Sequence, residues 1–229
     1  MTVRENLQLV RERIEKAAQR AGRKPEEIIL VAVTKTVEIP RILEAIEAGV
    51  THLGENRVQE AHGKIKEIGA RVTWHMIGHL QTNKARQAVE LFQLIHSVDS
   101  LKLARELSRK AEARKRRVDV LIQINVAGEA SKSGFPVGGI EENIREIGML
   151  PGLAVKGLMT IPPLAEDPGQ ARPYFKKLRE ISEGLRNIPQ VEMKFLSMGM
   201  TNDFEIAVEE GANMVRIGTA IFGSRPSLH

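Results

Sequence analysis

The chain has 229 residues, of which 42% are apolar and 28% charged, close to the usage of ordinary soluble domains. It contains no cysteine, which excludes disulfides, thiolate metal sites and a cysteine nucleophile. Its net charge of +5 permits an anionic ligand, and because it shows neither a signal peptide nor the run of about 20 apolar residues that a membrane helix needs, we expect a soluble, cytoplasmic protein with no membrane partner.

The first predicted element is an amphipathic helix. Thr2 and Glu5 have the spacing of a capping box, in which each side chain accepts a hydrogen bond from the other residue's backbone. Behind them apolar residues recur at spacings of three and four, which is the helical period. Gly22 is the residue type that most readily adopts the left-handed conformation ending a helix.

From there the chain alternates between short β-branched runs and amphipathic segments. The predicted strands are residues 28–34, 51–53, 72–77, 94–98, 118–126, 154–160, 193–197 and 214–218. The predicted helices between them begin near Ile39, Arg57, Thr82, Ser100, Gly138, Gly169 and Asp203, and a short segment near Ala220 follows the last strand. Several strands are almost continuously apolar, as expected of parallel strands covered on both faces.

Eight strands separated by helices predict an α/β fold, a single (β/α)8 barrel over residues 1–229. We expect the extra N-terminal helix to cover one end of this barrel. An open doubly wound sheet is the main alternative, but that fold usually carries a glycine-rich turn after its first strand. Here the first strand ends in Val33, Thr34, Lys35 and Thr36, without glycine.

Functional residues of this fold gather at the carboxyl ends of the strands, and Lys35 follows the first strand directly. A lysine that is partly removed from water has a lowered pKa, because desolvation disfavours the ammonium, and it can then form a Schiff base. The alternative is a lysine whose stem covers apolar surface while its ammonium reaches solvent.

The loops after strands seven and eight predict a phosphate site. Residues 197–203 and 218–220 are rich in small and hydroxyl side chains, and a helix follows the first of these loops. Such loops bind phosphate through backbone N–H groups, hydroxyls and the helix dipole. The alternative is two ordinary tight turns with a helix cap. A lysine facing a phosphate site indicates a phosphorylated carbonyl compound, either pyridoxal 5′-phosphate or a sugar phosphate.

Six blocks of sequence carry a family resemblance. They are residues 33–35, 52–60, 74–84, 157–160, 196–201 and 215–223. In this order they resemble the pyridoxal phosphate homeostasis protein family, also called the YggS/PROSC family, and the resemblance runs from about Glu5 to Arg225.

The resemblance implies a barrel similar to the N-terminal domain of bacterial alanine racemase, with pyridoxal phosphate held as a covalent aldimine on Lys35. It also implies a phosphate cradle, an arginine facing the pyridine nitrogen, and residues lining the pocket. The cradle would comprise Ser197, Gly218 and Thr219 with backbone groups near Met198 and Gly199, the arginine is Arg216, and the lining residues are Asn56 and Met159.

Arg216 favours a carrier over an enzyme. Most carbanion-forming enzymes of this cofactor place a carboxylate against the pyridine nitrogen, whereas an arginine can only donate and leaves that nitrogen unprotonated. A two-base racemase, the alternative function, also needs a second base. The only tyrosine, Tyr174, is predicted on a helix far from any strand end, and His79 and His96 are either bases or structural histidines.

We therefore expect a non-catalytic monomer that buffers pyridoxal phosphate and delivers it to apo-enzymes, with no metal. The basic stretch 109–117 raises a further alternative, a nucleic-acid-binding surface. Cations also collect in the last turn of a helix, where they meet the negative end of its dipole. We favour this second interpretation, because the stretch contains no aromatic residue on which bases could stack.

Overall fold

The computed structural model describes residues 1–129 and 132–223, so Arg225 lies outside the described residues. Its strands pair in parallel and close into a barrel in the order in which they occur along the chain. The strands are β1 (Ile29–Val33), β2 (His52–Glu55), β3 (Thr73–Met76), β4 (Leu94–Val98), β5 (Val118–Gln123), β6 (Leu153–Met159), β7 (Val191–Ser197) and β8 (Met214–Ile217). The predicted (β/α)8 barrel is confirmed.

A helix precedes the barrel and a helix follows each strand. These are α1 (Val3–Arg20), α2 (Ile39–Glu47), α3 (Val58–Ile68), α4 (Ala85–Leu91), α5 (Leu101–Glu112), α6 (Ile140–Gly148), α7 (Arg172–Gly184), α8 (Phe204–Glu209) and α9 (Thr219–Phe222). Across residues 1–129 and 132–223, none of these helices combines the length and the apolar character needed to cross a membrane.

The first helix begins as predicted but does not cover one end of the barrel, which is where we expected it. Glu5 N donates to Thr2 Oγ1 at 3.2 Å and Thr2 N donates to Glu5 Oε2 at 2.8 Å, which completes the capping box. However, α1 packs against α2, α8 and α9, and Asn6 Nδ2 donates to the Ile221 carbonyl. Helix α1 therefore takes a place in the outer ring of helices beside the short α9, instead of covering a barrel end.

Most strand boundaries agree with prediction to within two residues, and two differences have clear causes. Strand β2 continues through Gly54 to Glu55, because these two residues pair in register with His75 and Met76 of β3. Strand β5 ends at Gln123 instead of residue 126, because Asn125 N donates to the Phe135 carbonyl of the following loop.

Alternation along the strands separates two apolar layers. One set of side chains packs outward against the helices and forms the main core. The other points into the barrel and forms a smaller cluster of Val31, Leu94, Leu121, Met159 and Met214. The interior is a packed layer, as usual for this fold, so a ligand can enter only above it, at the carboxyl ends of the strands.

The basic stretch lies at the carboxyl end of α5. Arg109 and Lys110 occupy the last turn of this helix, as expected for cations near a helix dipole. Beyond the helix, Arg114 pairs with Glu90, Arg116 donates to the Val89 carbonyl, and Arg117 donates to the Leu153 carbonyl. These arginines tie neighbouring elements together.

Candidate functional site

A cavity of about 430 Å³ opens at the carboxyl ends of β1, β7 and β8. Four of the predicted site residues line it: Lys35, Arg216, Gly218 and Thr219. The other lining residues come from the loops after β6 and β7 and include Pro162, Leu164, Thr201 and Asp203, together with Lys132.

The position of Lys35 follows from strand alternation. Val31 points into the barrel and Val33 lines the cavity, so the next residue on this face is Lys35, which is half-buried. Immediately beyond it Thr36 adopts a positive φ of 61°, which turns the chain towards α2. A β-branched residue rarely adopts this conformation, so neighbouring contacts must stabilise it.

A buried cluster behind Lys35 supplies those contacts. Lys64 Nζ, on α3, donates to the Thr34 carbonyl at 2.5 Å, to Glu55 Oε1 at 2.8 Å and to Glu60 Oε1 at 2.6 Å. Glu60 Oε1 also accepts from Thr36 N at 2.5 Å. The residues on both sides of Lys35 are thus bonded to one ammonium–carboxylate group. We call Thr34, Glu55, Glu60 and Lys64 the clamp.

Burial dominates the electrostatics of the clamp. The Glu55 carboxyl is fully buried, and desolvation raises its pKa although the bonds from Lys64 and Thr34 act in the opposite direction. Glu55 Oε2 has no hydrogen-bond partner within the described part of the chain. The cluster therefore depends on Lys64 to compensate its buried negative charge.

At the ends of β7 and β8, the hydroxyls of Thr201 and Thr219 line the cavity. Thr219 Oγ1 donates to Thr201 Oγ1 at 3.0 Å, and Ala220 N donates to the same Thr201 oxygen at 3.4 Å. A Cβ at Gly218 would come within 3.3 Å of Val33, so glycine keeps this wall open. Sequence analysis included Thr201 in the predicted phosphate loop 197–203 but did not single it out as a site residue.

The structure places three other predicted cradle residues away from the cavity lining. The Ser197 hydroxyl points into the barrel, where it is fully buried and hydrogen-bonded to Arg216 and His96. The Met198 side chain packs outward, and its N–H donates to the Met214 carbonyl. A Cβ at Gly199 would lie 2.6 Å from Ala207, so this glycine permits the close approach of α8.

Arg216 is held from two sides. Its Nη1 donates to Ser197 Oγ at 2.6 Å and its Nη2 donates to the Thr160 carbonyl at 2.9 Å. Burial lowers the pKa of Arg216 to about 10, while nearby Asp203 acts in the opposite direction, so the guanidinium is a cation at neutral pH. Arg216 has other N–H groups beyond these two bonds, and it lines the cavity.

The two predicted lining residues lie beside the site without being part of the cavity wall. Asn56 follows β2 and is half-buried, and its backbone packs against Gly78, where a Cβ would lie 2.4 Å from the Asn56 carbonyl oxygen. Met159 is fully buried in the interior cluster beneath the cavity.

Neither candidate histidine lines the cavity. His79 is exposed and pairs with Asp99 Oδ2 at 3.0 Å. His96 is fully buried on β4, with Nδ1 2.9 Å from Ser197 Oγ and Nε2 2.8 Å from His75 Nδ1. Tyr174 lies on helix α7, as predicted.

The chain matches a known family and known proteins over nearly its whole length. The family described as alanine racemase, N-terminal domain, matches residues 6–226. The chain is 44% identical over 226 residues to the pyridoxal phosphate homeostasis protein of Aquifex aeolicus (strain VF5), covering 98% of this chain and 99% of that protein.

Solved structures share the fold. PipY of Synechococcus elongatus PCC7942 with PLP bound superposes with a TM-score of 0.81 at 37% identity, covering 92% of this chain and 100% of that one. An alanine racemase of Clostridium difficile 630 superposes with a TM-score of 0.74 at 18% identity, covering 99% of this chain and 58% of the racemase. The likeness to the racemase shows a common barrel fold and nothing more.

Proposed function

This chain belongs to the pyridoxal phosphate homeostasis protein family, and from that premise we propose that its cavity binds pyridoxal 5′-phosphate and that Lys35 holds it as a covalent aldimine. The cofactor supplies a reactive aldehyde and a phosphate dianion. PipY, a similar protein, has been solved with PLP bound, which supports the proposal. The chain's own residues must supply an amine, a phosphate cradle and a partner for the pyridine ring.

The observation that carries the proposal is that one cavity is lined by all three. Lys35 supplies the amine, and Thr201 and Thr219 supply hydroxyls 3.0 Å apart that can turn towards a phosphate. Gly218 carries no side chain beside them, and Arg216 lies on β8, the strand that pairs with both β1 and β7. The donor set fits a phosphorylated pyridine aldehyde.

The chemistry of Arg216 favours a carrier. A guanidinium has N–H donors and no acceptor, so it can bond an unprotonated pyridine nitrogen but cannot stabilise a protonated one. An unprotonated ring withdraws electrons weakly, which slows proton removal from a bound amino acid. We propose that the protein stores pyridoxal phosphate as a monomer and releases it to apo-enzymes.

The test compares delivery with catalysis. The purified protein is loaded with pyridoxal phosphate and mixed with an apo-enzyme that requires this cofactor, and the recovery of that enzyme's activity is followed. In parallel, loaded protein is incubated with L-alanine or D-alanine in deuterium oxide and exchange at the α-carbon is followed by NMR. We expect reactivation without α-deuterium exchange. Rapid exchange with both enantiomers would instead establish a racemase.

A further inference from the structure

A chain of hydrogen bonds runs through the interior of the barrel from Arg216 to His52. Arg216 Nη1 bonds Ser197 Oγ at 2.6 Å, which lies 2.9 Å from His96 Nδ1. His96 Nε2 lies 2.8 Å from His75 Nδ1, and His75 Nε2 lies 2.9 Å from His52 Nδ1. The sequence separates these residues widely, and five different strands supply one each.

The two ends of this chain reach two different cavities, although Arg216 and His52 are both register partners of Val31 on β1. Arg216 lines the candidate site at the carboxyl ends of the strands. His52 is the first residue of β2 and lines a separate cavity together with residues of α1 and the first residues of β1. Ser197, His96 and His75 between them are at most 1% exposed. The hydroxyl and ring protons of these three buried residues must therefore have hydrogen-bond acceptors within the protein.

Donor chemistry gives the chain one direction. The guanidinium can only donate, so Ser197 Oγ accepts from Arg216. Ser197 Oγ has no third partner within residues 1–129 and 132–223, so its own proton must go to His96 Nδ1. If His96 Nδ1 donated instead, the serine proton would be buried without an acceptor, which costs about 1–3 kcal/mol.

The same rule then applies at each histidine. With Nδ1 accepting, a neutral His96 carries its proton on Nε2 and donates to His75 Nδ1. By the same reasoning His75 donates from Nε2 to His52 Nδ1, and a neutral His52 then carries its own proton on Nε2. Burial lowers the pKa of His75 to about 3 and that of His96 well below its ordinary value, and neighbouring charges add to both effects. Both rings are neutral at pH 7.

We propose that His52, His75 and His96 are positioning residues: a one-way chain of neutral imidazoles, each protonated at Nε2, that orients the Ser197 hydroxyl and thereby holds the Arg216 guanidinium with its other N–H groups towards the candidate site. The chain is not a proton relay. A relay ending at Arg216 would require the guanidinium to lose its proton, whereas a donor that keeps its proton is suited to holding a fixed orientation. The ligand towards which Arg216 is held rests on the proposed function, but the orientation of the chain does not.

The first test uses the ligand-free protein, so it is independent of the proposed function. Long-range ¹H–¹⁵N NMR spectra of protein labelled with ¹⁵N-histidine distinguish the Nδ1–H, Nε2–H and doubly protonated forms of each ring. At pH 7 we expect His52, His75 and His96 in the Nε2–H form. An Nδ1–H form or a cationic ring at His96 would overturn the proposal, because Ser197 could not then donate to it.

The second test asks whether the chain acts on Arg216. His96→Asn keeps an oxygen acceptor near the position of Nδ1, whereas His96→Leu removes it. We expect the affinity for pyridoxal, which lacks the phosphate, to fall at least tenfold in His96→Leu and to recover in large part in His96→Asn. Equal losses in both variants would show a packing role only and would contradict the proposal.

A matched pair of serines provides the control. Ser97 on β4 is fully buried, and its hydroxyl has no hydrogen-bond partner in the described ranges, so Ser97→Ala should leave pyridoxal affinity unchanged. Ser197→Ala should weaken it to the same extent as His96→Leu. If Ser97→Ala and Ser197→Ala change the affinity for pyridoxal equally, the hydrogen-bonded chain does not act on Arg216. If wild-type protein binds no pyridoxal compound at all, the proposed function fails, and the NMR result still decides the orientation of the chain.

Discussion

Thr201, Thr219 and Ser197 all carry hydroxyls at the ends of β7 and β8, but their surroundings give them different tasks. Thr201 and Thr219 line the cavity, and their hydroxyls are hydrogen-bonded to one another. Ser197 is fully buried and bonds Arg216 and His96. The phosphate role predicted for Ser197 therefore passes to Thr201 in our proposal, and Ser197 is assigned to holding Arg216.

Replacing either threonine should distinguish phosphate contacts from ring contacts. We expect Thr201→Val and Thr219→Val each to weaken pyridoxal phosphate binding about 10- to 100-fold, because a hydrogen bond to a charged group contributes about 1.5–3 kcal/mol. Binding of unphosphorylated pyridoxal should barely change. Fluorescence or absorbance titrations with both ligands measure this. Equal losses for the two ligands would show that these hydroxyls do not contact the phosphate.

At this scale the sequence was informative where a residue's direction follows from its own strand. Lys35 follows β1, and its position at a strand end was enough to predict it at the cavity, whereas Arg216 was predicted there only from the family resemblance. The partners of Ser197 could not be predicted in this way. His96 is 101 residues away in sequence, and only closure of the barrel brings the two side chains together.

At the scale of elements, the clamp joins the segment after β1 to helix α3. Lys64 contacts the carbonyl before Lys35, and Glu60 contacts the N–H after it. The segment therefore keeps its unusual turn at Thr36 through bonds to a different element. The segment that carries Lys35 is thus held by a helix that does not itself line the cavity.

Removing the clamp's cation should loosen this segment. Lys64→Met leaves two carboxylates without their buried partner, and breaking such a pair costs about 3–5 kcal/mol. We expect a lower urea midpoint, faster hydrogen exchange at the Thr36 amide, and weaker pyridoxal phosphate binding. Lys66→Met is the matched control, since Lys66 is exposed on the same helix and should leave all three unchanged. Unaltered exchange at Thr36 in Lys64→Met would show that the clamp does not hold the segment.

Periodicity predicted the order and type of the elements well, because each strand and helix carries its own apolar pattern. It predicted their packing less well. Helix α1 shows a clear amphipathic face, but nothing in that face indicates which elements cover it, so its place beside α9 became visible only in the folded chain.

At the scale of the whole molecule, the barrel encloses two buried histidines, His75 and His96, that are neutral in the folded protein. His75 is 1% exposed, and burial lowers its pKa from 6.5 to about 3. His96 is fully buried, with its pKa lowered further by its proximity to His75 and Arg216. The unfolded chain binds protons at these rings below pH 6.5 while the folded chain does not. Acid therefore favours unfolding.

We expect stability to fall as pH decreases from 6.5 towards 3, because each such ring contributes up to about 1.4 kcal/mol per pH unit in this range. Burial raises the pKa values of Glu55 and Asp203, and these two groups therefore stabilise the fold as pH falls. The contribution of a histidine is isolated by comparing the wild type with a variant that lacks it. His75→Leu should be less stable at pH 7 but should lose stability less steeply between pH 7 and pH 5.

The matching control is His62→Gln, since His62 is exposed on α3. Urea denaturation at pH 7, 6 and 5 gives the slope of the free energy of unfolding against pH. His62→Gln should follow the wild-type slope. If His75→Leu showed the same slope as the wild type, His75 would not be the buried neutral ring described above.

Lys35 is the residue that we propose holds pyridoxal phosphate, and borohydride reduction followed by peptide mass spectrometry tests this assignment. The protein is loaded with one equivalent of the cofactor, reduced and digested, and Lys132→Ala and Lys35→Ala are treated in parallel because both lysines line the cavity. We predict a phosphopyridoxyl group on Lys35 in wild type and in Lys132→Ala, and loss of site-specific labelling in Lys35→Ala. Stoichiometric labelling of Lys132 in the wild type, or undiminished labelling of the cavity in Lys35→Ala, would contradict the account.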